Sequence, residues 1–162
     1  MSYRSAASFG KRQEYVAVAE LLRRGLDVYM TLVDDQQIDC IIRQEMNGQL
    51  RYLDIQIKAR SKDCVPKDGG FFPVIAIRHP RENFFFIFYS EHANTYWILS
   101  STELIKEANQ NKTGANAGKY SIKFCNLTKV GLKPRPRFKK YENAFHLLEW
   151  AETTGSSITH ES

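Results

Sequence analysis

The stretch RYLDIQIKAR, residues 51–60, decides how this chain folds. Apolar and polar side chains alternate along it, which is typical of a β-strand whose two faces meet different surroundings. Ile55 and Ile57 point to one face and predict a hydrophobic core on that side. Gln56 and Lys58 point to the other face. The stretch therefore predicts a strand that supports a core and also presents an amide and an amine.

A tight hairpin precedes this strand. Asn47 and Gly48 accept the positive φ angles that a two-residue hairpin turn requires. Residues 27–33 and 37–42 are apolar enough to form two earlier strands, so a three-stranded meander is expected. In that meander the hairpin partner strand brings Asp39 beside the polar face of residues 51–60.

An amphipathic helix is predicted over residues 8–24. Val18 and Leu21 lie on its apolar side, and Gly25 is a typical C-terminal stop. Glu14 falls on the same side, where a carboxylate is costly unless something pairs with it. Because this helix must pack on the sheet, Glu14 is expected to approach the polar strand face.

The remaining segments complete a mixed α/β fold. The stretch NFFFIFY, residues 83–89, is apolar at nearly every position and predicts a strand covered on both faces. Further predicted elements are a short strand at residues 71–78, a strand at 95–99, a helix at 100–108 with a capping box, a mobile connection at 109–119 and a final helix at 141–148. We expect a central mixed β-sheet flanked by helices, in one domain over residues 1–152. Residues 153–162 are expected to be a disordered tail.

Composition narrows the possible partners and the cellular compartment of the protein. The net charge of +5 and the pI of about 9.1 favour a polyanionic partner without proving one. No apolar run approaches the roughly 20 residues that a membrane-spanning helix needs, and no secretory signal is recognisable. The three cysteines are widely spaced and show no zinc-binding pattern, so we expect a cytoplasmic protein with reduced thiols.

Glu14, Asp39, Gln56 and Lys58 are the candidate catalytic residues. Together they provide two acids, an amide and an amine from three elements of secondary structure. Such a set suits phosphodiester hydrolysis in which oxygen ligands bind a divalent cation. Asp39 is the expected main metal ligand, Gln56 a neutral one, and Glu14 a direct or water-mediated one. Lys58 is expected to serve the attacking water and the phosphate.

These residues resemble a known family. The segments GKRQEYVAVAELL, IDCII and IQIKAR are similar to the helix-Glu, Asp and (D/E/Q)-X-K elements of PD-(D/E)-X-K nucleases, over roughly residues 10–60. That family includes restriction enzymes, Holliday-junction resolvases and some homing endonucleases. The resemblance implies a restriction-endonuclease-like core. Ile38 stands where the family name has proline, and Gln56 replaces an acid, as in some homing endonucleases of this class.

Several basic residues are candidates for nucleic-acid binding. Arg60 and Lys62 follow the proposed catalytic strand and are candidates for binding phosphates, although a plain polar loop explains them nearly as well. The basic stretch KPRPRFKK, residues 133–140, is a candidate clamp for a nucleic-acid backbone through Lys133, Arg135, Arg137 and Lys139. A solvated linker before the final helix explains this stretch equally well.

The sequence thus predicts an endodeoxyribonuclease that depends on Mg²⁺, for which Mn²⁺ can substitute. Its expected partner is double-stranded DNA, and its expected state is a homodimer or a larger symmetric homo-oligomer, since one small domain covers little DNA. Two alternatives stay open: a catalytically inactive nucleic-acid-binding module on the same fold, and a globular interaction protein without a nucleic-acid role. RNA also stays open as the substrate.

Overall fold

The computed structural model describes residues 5–33 and 36–150. The helices are α1 (Ala6–Arg23) and α2 (Ser101–Glu107), with 3₁₀ helices at Pro66–Asp68, Pro136–Tyr141 and Phe145–Leu148. The strands are β1 (Asp27–Met30), β2 (Cys40–Met46), β3 (Gln49–Arg60), β4 (Phe71–Ile75), β5 (Phe84–Ser90), β6 (Thr95–Ser100), β7 (Asn109–Gln110), β8 (Tyr120–Lys123), β9 (Cys125–Thr128) and β10 (Gly131–Pro134). None of the described helices is long and apolar enough to cross a membrane.

The central sheet has five strands in the order β1-β2-β3-β5-β6. Strands β3 and β5 are parallel, and the other neighbours in this sheet are antiparallel. Two smaller sheets accompany it, one ordered β4-β8-β7 and one formed by β9 and β10. The prediction of a mixed α/β fold with a central mixed sheet and flanking helices is confirmed.

Two hydrophobic cores lie on opposite faces of this sheet. On one face α1 packs through Leu21 against Ile55 and its neighbours. On the other face Phe86 packs in a cluster with Phe72 of β4 and Phe124. Strand β5 is therefore covered on both sides, as its sequence predicted, and each fully buried side chain of this size contributes about 1.5–3 kcal/mol.

The hairpin and the ends of α1 follow the local sequence. Asn47 and Gly48 adopt φ angles of 52° and 78° between the strands β2 and β3, which confirms the predicted turn. Gly25 ends α1 with a φ of 81°. The helix begins two residues earlier than predicted, because the Ser5 hydroxyl caps it by accepting a hydrogen bond from the Ser8 backbone N–H at 3.1 Å.

The predicted final helix over residues 141–148 is wrong. Two short 3₁₀ helices occupy this region, separated by Asn143 with a φ of 48°. Asn143 pairs with the edge of β6: its backbone N–H donates to the Tyr96 carbonyl at 2.7 Å, and its Oδ1 accepts from the Tyr96 N–H at 3.1 Å. A residue held in this left-handed conformation interrupts a helix.

Other boundaries differ from the prediction as well. Strand β2 begins at Cys40 rather than at residue 37, and β8, β9 and β10 were not predicted. The connection expected to be mobile begins with β7 and is closed by a hydrogen bond from the Asn111 N–H to the Lys119 carbonyl at 2.8 Å. The expected tail at residues 153–162 lies outside the described residues, as do positions 34 and 35.

Candidate functional site

Asp39 lies immediately before β2 and caps the neighbouring strand. Its Oδ2 accepts a hydrogen bond from the Ile57 backbone N–H at 2.6 Å, and its own N–H donates to the Ile55 carbonyl at 2.8 Å. The residue is only 7% exposed. The backbone pairing between β2 and β3 ends at Cys40, so no further residue of β2 offers a carbonyl to the Ile57 N–H. The Asp39 carboxylate supplies this acceptor instead. A buried carboxylate is thus fixed just before the first residue of β2.

Gln56 and Lys58 occupy the face of β3 that points away from α1. The pairing of Cys40 with Ile55, continued by one residue, sets Asp39 opposite Gln56. The Oε1 atom of Gln56 is buried, and none of the described residues donates a hydrogen bond to it. A buried acceptor without a donor costs about 1–3 kcal/mol. This arrangement is unfavourable for the folded chain alone and suits an oxygen that binds a cation.

Glu14 approaches from the other side of the sheet. It lies on α1, its side chain is 17% exposed, and it accepts a hydrogen bond from Lys11 Nζ at 2.9 Å. That hydrogen bond, with the charge of Glu14 and a smaller contribution from Asp39, raises the pKa of Lys11. The expectation that Glu14 approaches the polar face of β3 is wrong, because α1 packs on the opposite face, against Ile55 and Ile57.

The charges of both carboxylates influence Cys40, which follows Asp39 in the chain. Burial, together with the negative charges of Asp39 and Glu14, raises the pKa of the Cys40 thiol to about 12. Cys40 is fully buried at the first position of β2. Glu14 and Asp39 are therefore both close enough to the start of β2 to influence the same thiol.

An open groove of about 320 Å³ runs between β3 and β4. Its lining residues are Lys58, Ala59, Arg60, Phe72, Pro73 and Val74. The Arg60 guanidinium donates through Nε to the Phe71 carbonyl at 2.8 Å and lies 6.0 Å from the centre of the Phe72 ring. Two basic side chains thus line a groove that begins beside the candidate catalytic residues, which suits an anionic ligand.

The remaining basic candidates are not gathered at this groove. Lys62 follows β3, and its backbone N–H donates to Glu91 at 2.8 Å. Lys133 lies in β10, and Arg135 donates through Nη1 to the Lys123 carbonyl at 3.0 Å. Arg137 pairs with Glu107 at 3.0 Å and Lys139 pairs with Glu142 at 2.8 Å. Their role in nucleic-acid binding stays a prediction.

The donor set around Asp39 fits a hard divalent cation. Carboxylate and amide oxygens are ligands that Mg²⁺ prefers, and Asp39, Gln56 and Glu14 each carry such oxygens. Within residues 5–33 and 36–150, no three side chains of His, Cys, Asp or Glu come together as a ready metal cluster. A metal here would therefore depend on the amide oxygen of Gln56 as well as on carboxylates.

Sequence reasoning missed two residues beside this site. Arg81 forms an ion pair with Asp54, which shares the polar face of β3. Gln37 contacts the chain after β4. Both contacts join segments far apart in the sequence, so no local spacing could have indicated them.

Comparison with known proteins supports the fold. No family model matches this chain, and no curated protein sequence matches it. Among solved structures, the bacterial homing endonuclease I-Ssp6803I is similar, with a TM-score of 0.59 and 21% sequence identity. The similarity covers 90% of this chain and 93% of that one. At this identity the likeness shows a shared fold.

Proposed function

We propose that this protein is a metal-dependent endonuclease that hydrolyses phosphodiester bonds in DNA. The observation that carries the proposal is that a fixed, buried carboxylate at Asp39, just beyond the end of the β2–β3 ladder, lies opposite Gln56, whose buried Oε1 has no donor among the described residues. The resemblance of the motifs to PD-(D/E)-X-K nucleases and the shared fold with a homing endonuclease support it.

Each residue has a distinct role in this proposal. Asp39 and Gln56 would hold Mg²⁺, or Mn²⁺ in its place, with Glu14 as a direct or water-mediated ligand. When bound, such an ion neutralises phosphate charge and lowers the pKa of water. The Lys58 ammonium donates hydrogen bonds to the attacking water and to a phosphate oxygen, which orients the water and stabilises the charge that develops.

The reaction is a simple hydrolysis. The water oxygen forms a new bond to phosphorus as the bond from phosphorus to the leaving sugar oxygen breaks. One proton leaves the water and one is gained by the leaving oxygen. Arg60 lines the groove with Lys58 and would bind a neighbouring phosphate.

We further propose double-stranded DNA as the substrate and a homodimer or larger symmetric homo-oligomer as the working form. One domain of this size contacts few base pairs, and two active sites are needed to cut both strands at once. Tyr29 and Met30 on the edge strand β1 are exposed hydrophobic side chains, which is consistent with association. Light scattering gives the mass directly, and a monomer at working concentration would contradict this part.

Nicking of supercoiled plasmid DNA tests the main proposal. The native protein is expected to nick with Mg²⁺ and to lose activity in EDTA. Lys58→Met is expected to abolish nicking, whereas the matched control Lys106→Met on the exposed side of α2 keeps it. DNA binding without nicking would favour an inactive binding module. Absence of both, with weak salt dependence, would favour an interaction protein without a nucleic-acid role.

A further inference from the structure

Gln37 lies two residues before Asp39 and joins it to a distant part of the chain. Its Nε2 donates to the Ala76 carbonyl at 3.0 Å, and its Oε1 accepts from the Arg78 backbone N–H at 3.3 Å. In an extended chain the carbonyl of one residue and the N–H two residues later point to the same side. The Gln37 amide therefore binds the backbone of residues 76–78 in the way that one residue of a neighbouring strand would.

The backbone of Gln37 shows that this contact is maintained against a local preference. Its φ is 61°, in the left-handed region that residues other than Gly, Asn and Asp rarely adopt. Such a conformation persists only where the surroundings hold it, and it is concentrated at functional sites. The two hydrogen bonds of the Gln37 side chain stabilise the segment that carries this conformation.

The residues that follow the segment contacted by Gln37 are bound to β3 and α2. Arg81 forms its ion pair with Asp54 of β3, and its backbone N–H donates to Ser101 Oγ at 2.8 Å. The Asp54 N–H donates to the Asn83 carbonyl at 2.8 Å. Residues 81–83, which follow the segment that Gln37 contacts, are thus tied to β3 and α2 independently of Gln37.

We infer that Gln37 is a positioning residue for Asp39. By tying the start of β2 to residues 76–78, it holds the Asp39 carboxylate against the Ile57 N–H and in register with Gln56. This inference rests on the proposed function for its catalytic meaning, because Asp39 is the main metal ligand only in that proposal. The positional claim itself concerns only the chain.

Two variants separate the contact from the strained backbone. Gln37→Asn keeps an amide and favours the left-handed conformation, but it is shorter by one carbon–carbon bond, about 1.5 Å, and cannot reach both backbone partners. Gln37→Met keeps the length and removes both hydrogen-bonding groups. Gln36→Met, at the exposed neighbouring position, is the matched control.

Amide hydrogen exchange followed by NMR is the decisive measurement. In both Gln37 variants the protection of the Ile57 N–H is expected to fall at least about tenfold, whereas the Ile87 N–H in the centre of the sheet keeps its protection. Isothermal titration with Mn²⁺ is expected to show affinity weakened by about 10- to 100-fold, as is typical when a residue that orients a metal ligand is lost.

The outcomes distinguish the two claims. Unchanged protection of Ile57, or an equal fall at Ile57 and Ile87, would overturn the positioning role and leave Gln37 as a general structural contact. If the native protein binds no Mn²⁺ and does not nick DNA, the proposed function fails. The exchange at Ile57 still decides the role of Gln37 in that case.

Discussion

The carboxylate of Asp39 accepts the Ile57 backbone N–H at 2.6 Å, so one side chain both ends the β2–β3 ladder and stands beside Gln56. A single residue thereby combines a structural task with a proposed catalytic one. Substitutions at Asp39 should separate these tasks, because a neutral side chain of the same shape can perform the first and not the second.

Asp39→Asn is expected to keep the fold and to lose metal binding and nicking. The amide oxygen of asparagine still accepts from the Ile57 N–H, but it lacks the charge that holds a divalent cation. Asp39→Ala is expected to unfold more easily as well, by about 1–3 kcal/mol, because it leaves a buried N–H without an acceptor. Urea denaturation and plasmid nicking measure the two effects. Equal stability of both variants would contradict the capping role.

Gln56→Met is expected to stabilise the protein while weakening its affinity for Mn²⁺. Methionine has nearly the same length and removes a buried oxygen for which no described residue provides a donor, so the free energy of unfolding should rise by about 1 kcal/mol or more. Denaturation without metal and titration with Mn²⁺ measure the two quantities.

Gln110→Met, on the exposed strand β7, serves as the control for Gln56→Met. A Gln56 variant that is less stable than the native protein without metal would show that its amide has an important partner within the chain. That result would remove the main support for a cation at this position.

Lys58→Met is expected to abolish cleavage while leaving the affinity for Mn²⁺ within about threefold, since an ammonium group stabilises the transition state without binding the metal. Single-turnover cleavage and titration separate the two effects. Loss of metal binding in this variant would assign Lys58 a structural role at the site instead.

Stability is expected to fall as the pH rises above 9. Burial raises the pKa of Cys40 from 9.0 to about 12, so above pH 9 the unfolded chain loses a proton that the folded chain keeps. The unfolded state then binds fewer protons, and the free energy of unfolding declines by up to about 1.4 kcal/mol per pH unit for one group.

Cys40→Ala tests this origin of the alkaline instability. The variant is expected to be less stable overall because it loses packing in a fully buried position, but its stability should depend less steeply on pH between 9 and 11. Urea denaturation at several pH values gives both slopes. An unchanged slope would show that Cys40 does not titrate differently in the folded protein.

The sequence was sufficient for the elements whose pattern is local. Alternation along residues 51–60 predicted β3 and the face that carries Gln56 and Lys58, and the Asn-Gly pair predicted the hairpin that brings Asp39 alongside. These features depend on residues that are adjacent or separated by a tight turn, so periodicity and turn chemistry reveal them.

Other features depend on contacts between distant segments. No periodic pattern in the sequence indicates that Gln37 contacts residues 76–78 or that Arg81 pairs with Asp54. The final helix was predicted wrongly because Asn143 forms hydrogen bonds with the backbone of Tyr96 in β6 and does not continue a helical turn. Strands β8 to β10 have only four residues each, too few to establish an alternation.

A crystal structure of the protein with Mn²⁺, analysed by anomalous diffraction, tests the central claim most directly. The account predicts one ion bound by a carboxylate oxygen of Asp39 and by Oε1 of Gln56, at about 2.0–2.3 Å from each. A well-ordered crystal at millimolar Mn²⁺ without an ion at these two residues, or with ions only elsewhere, would contradict it.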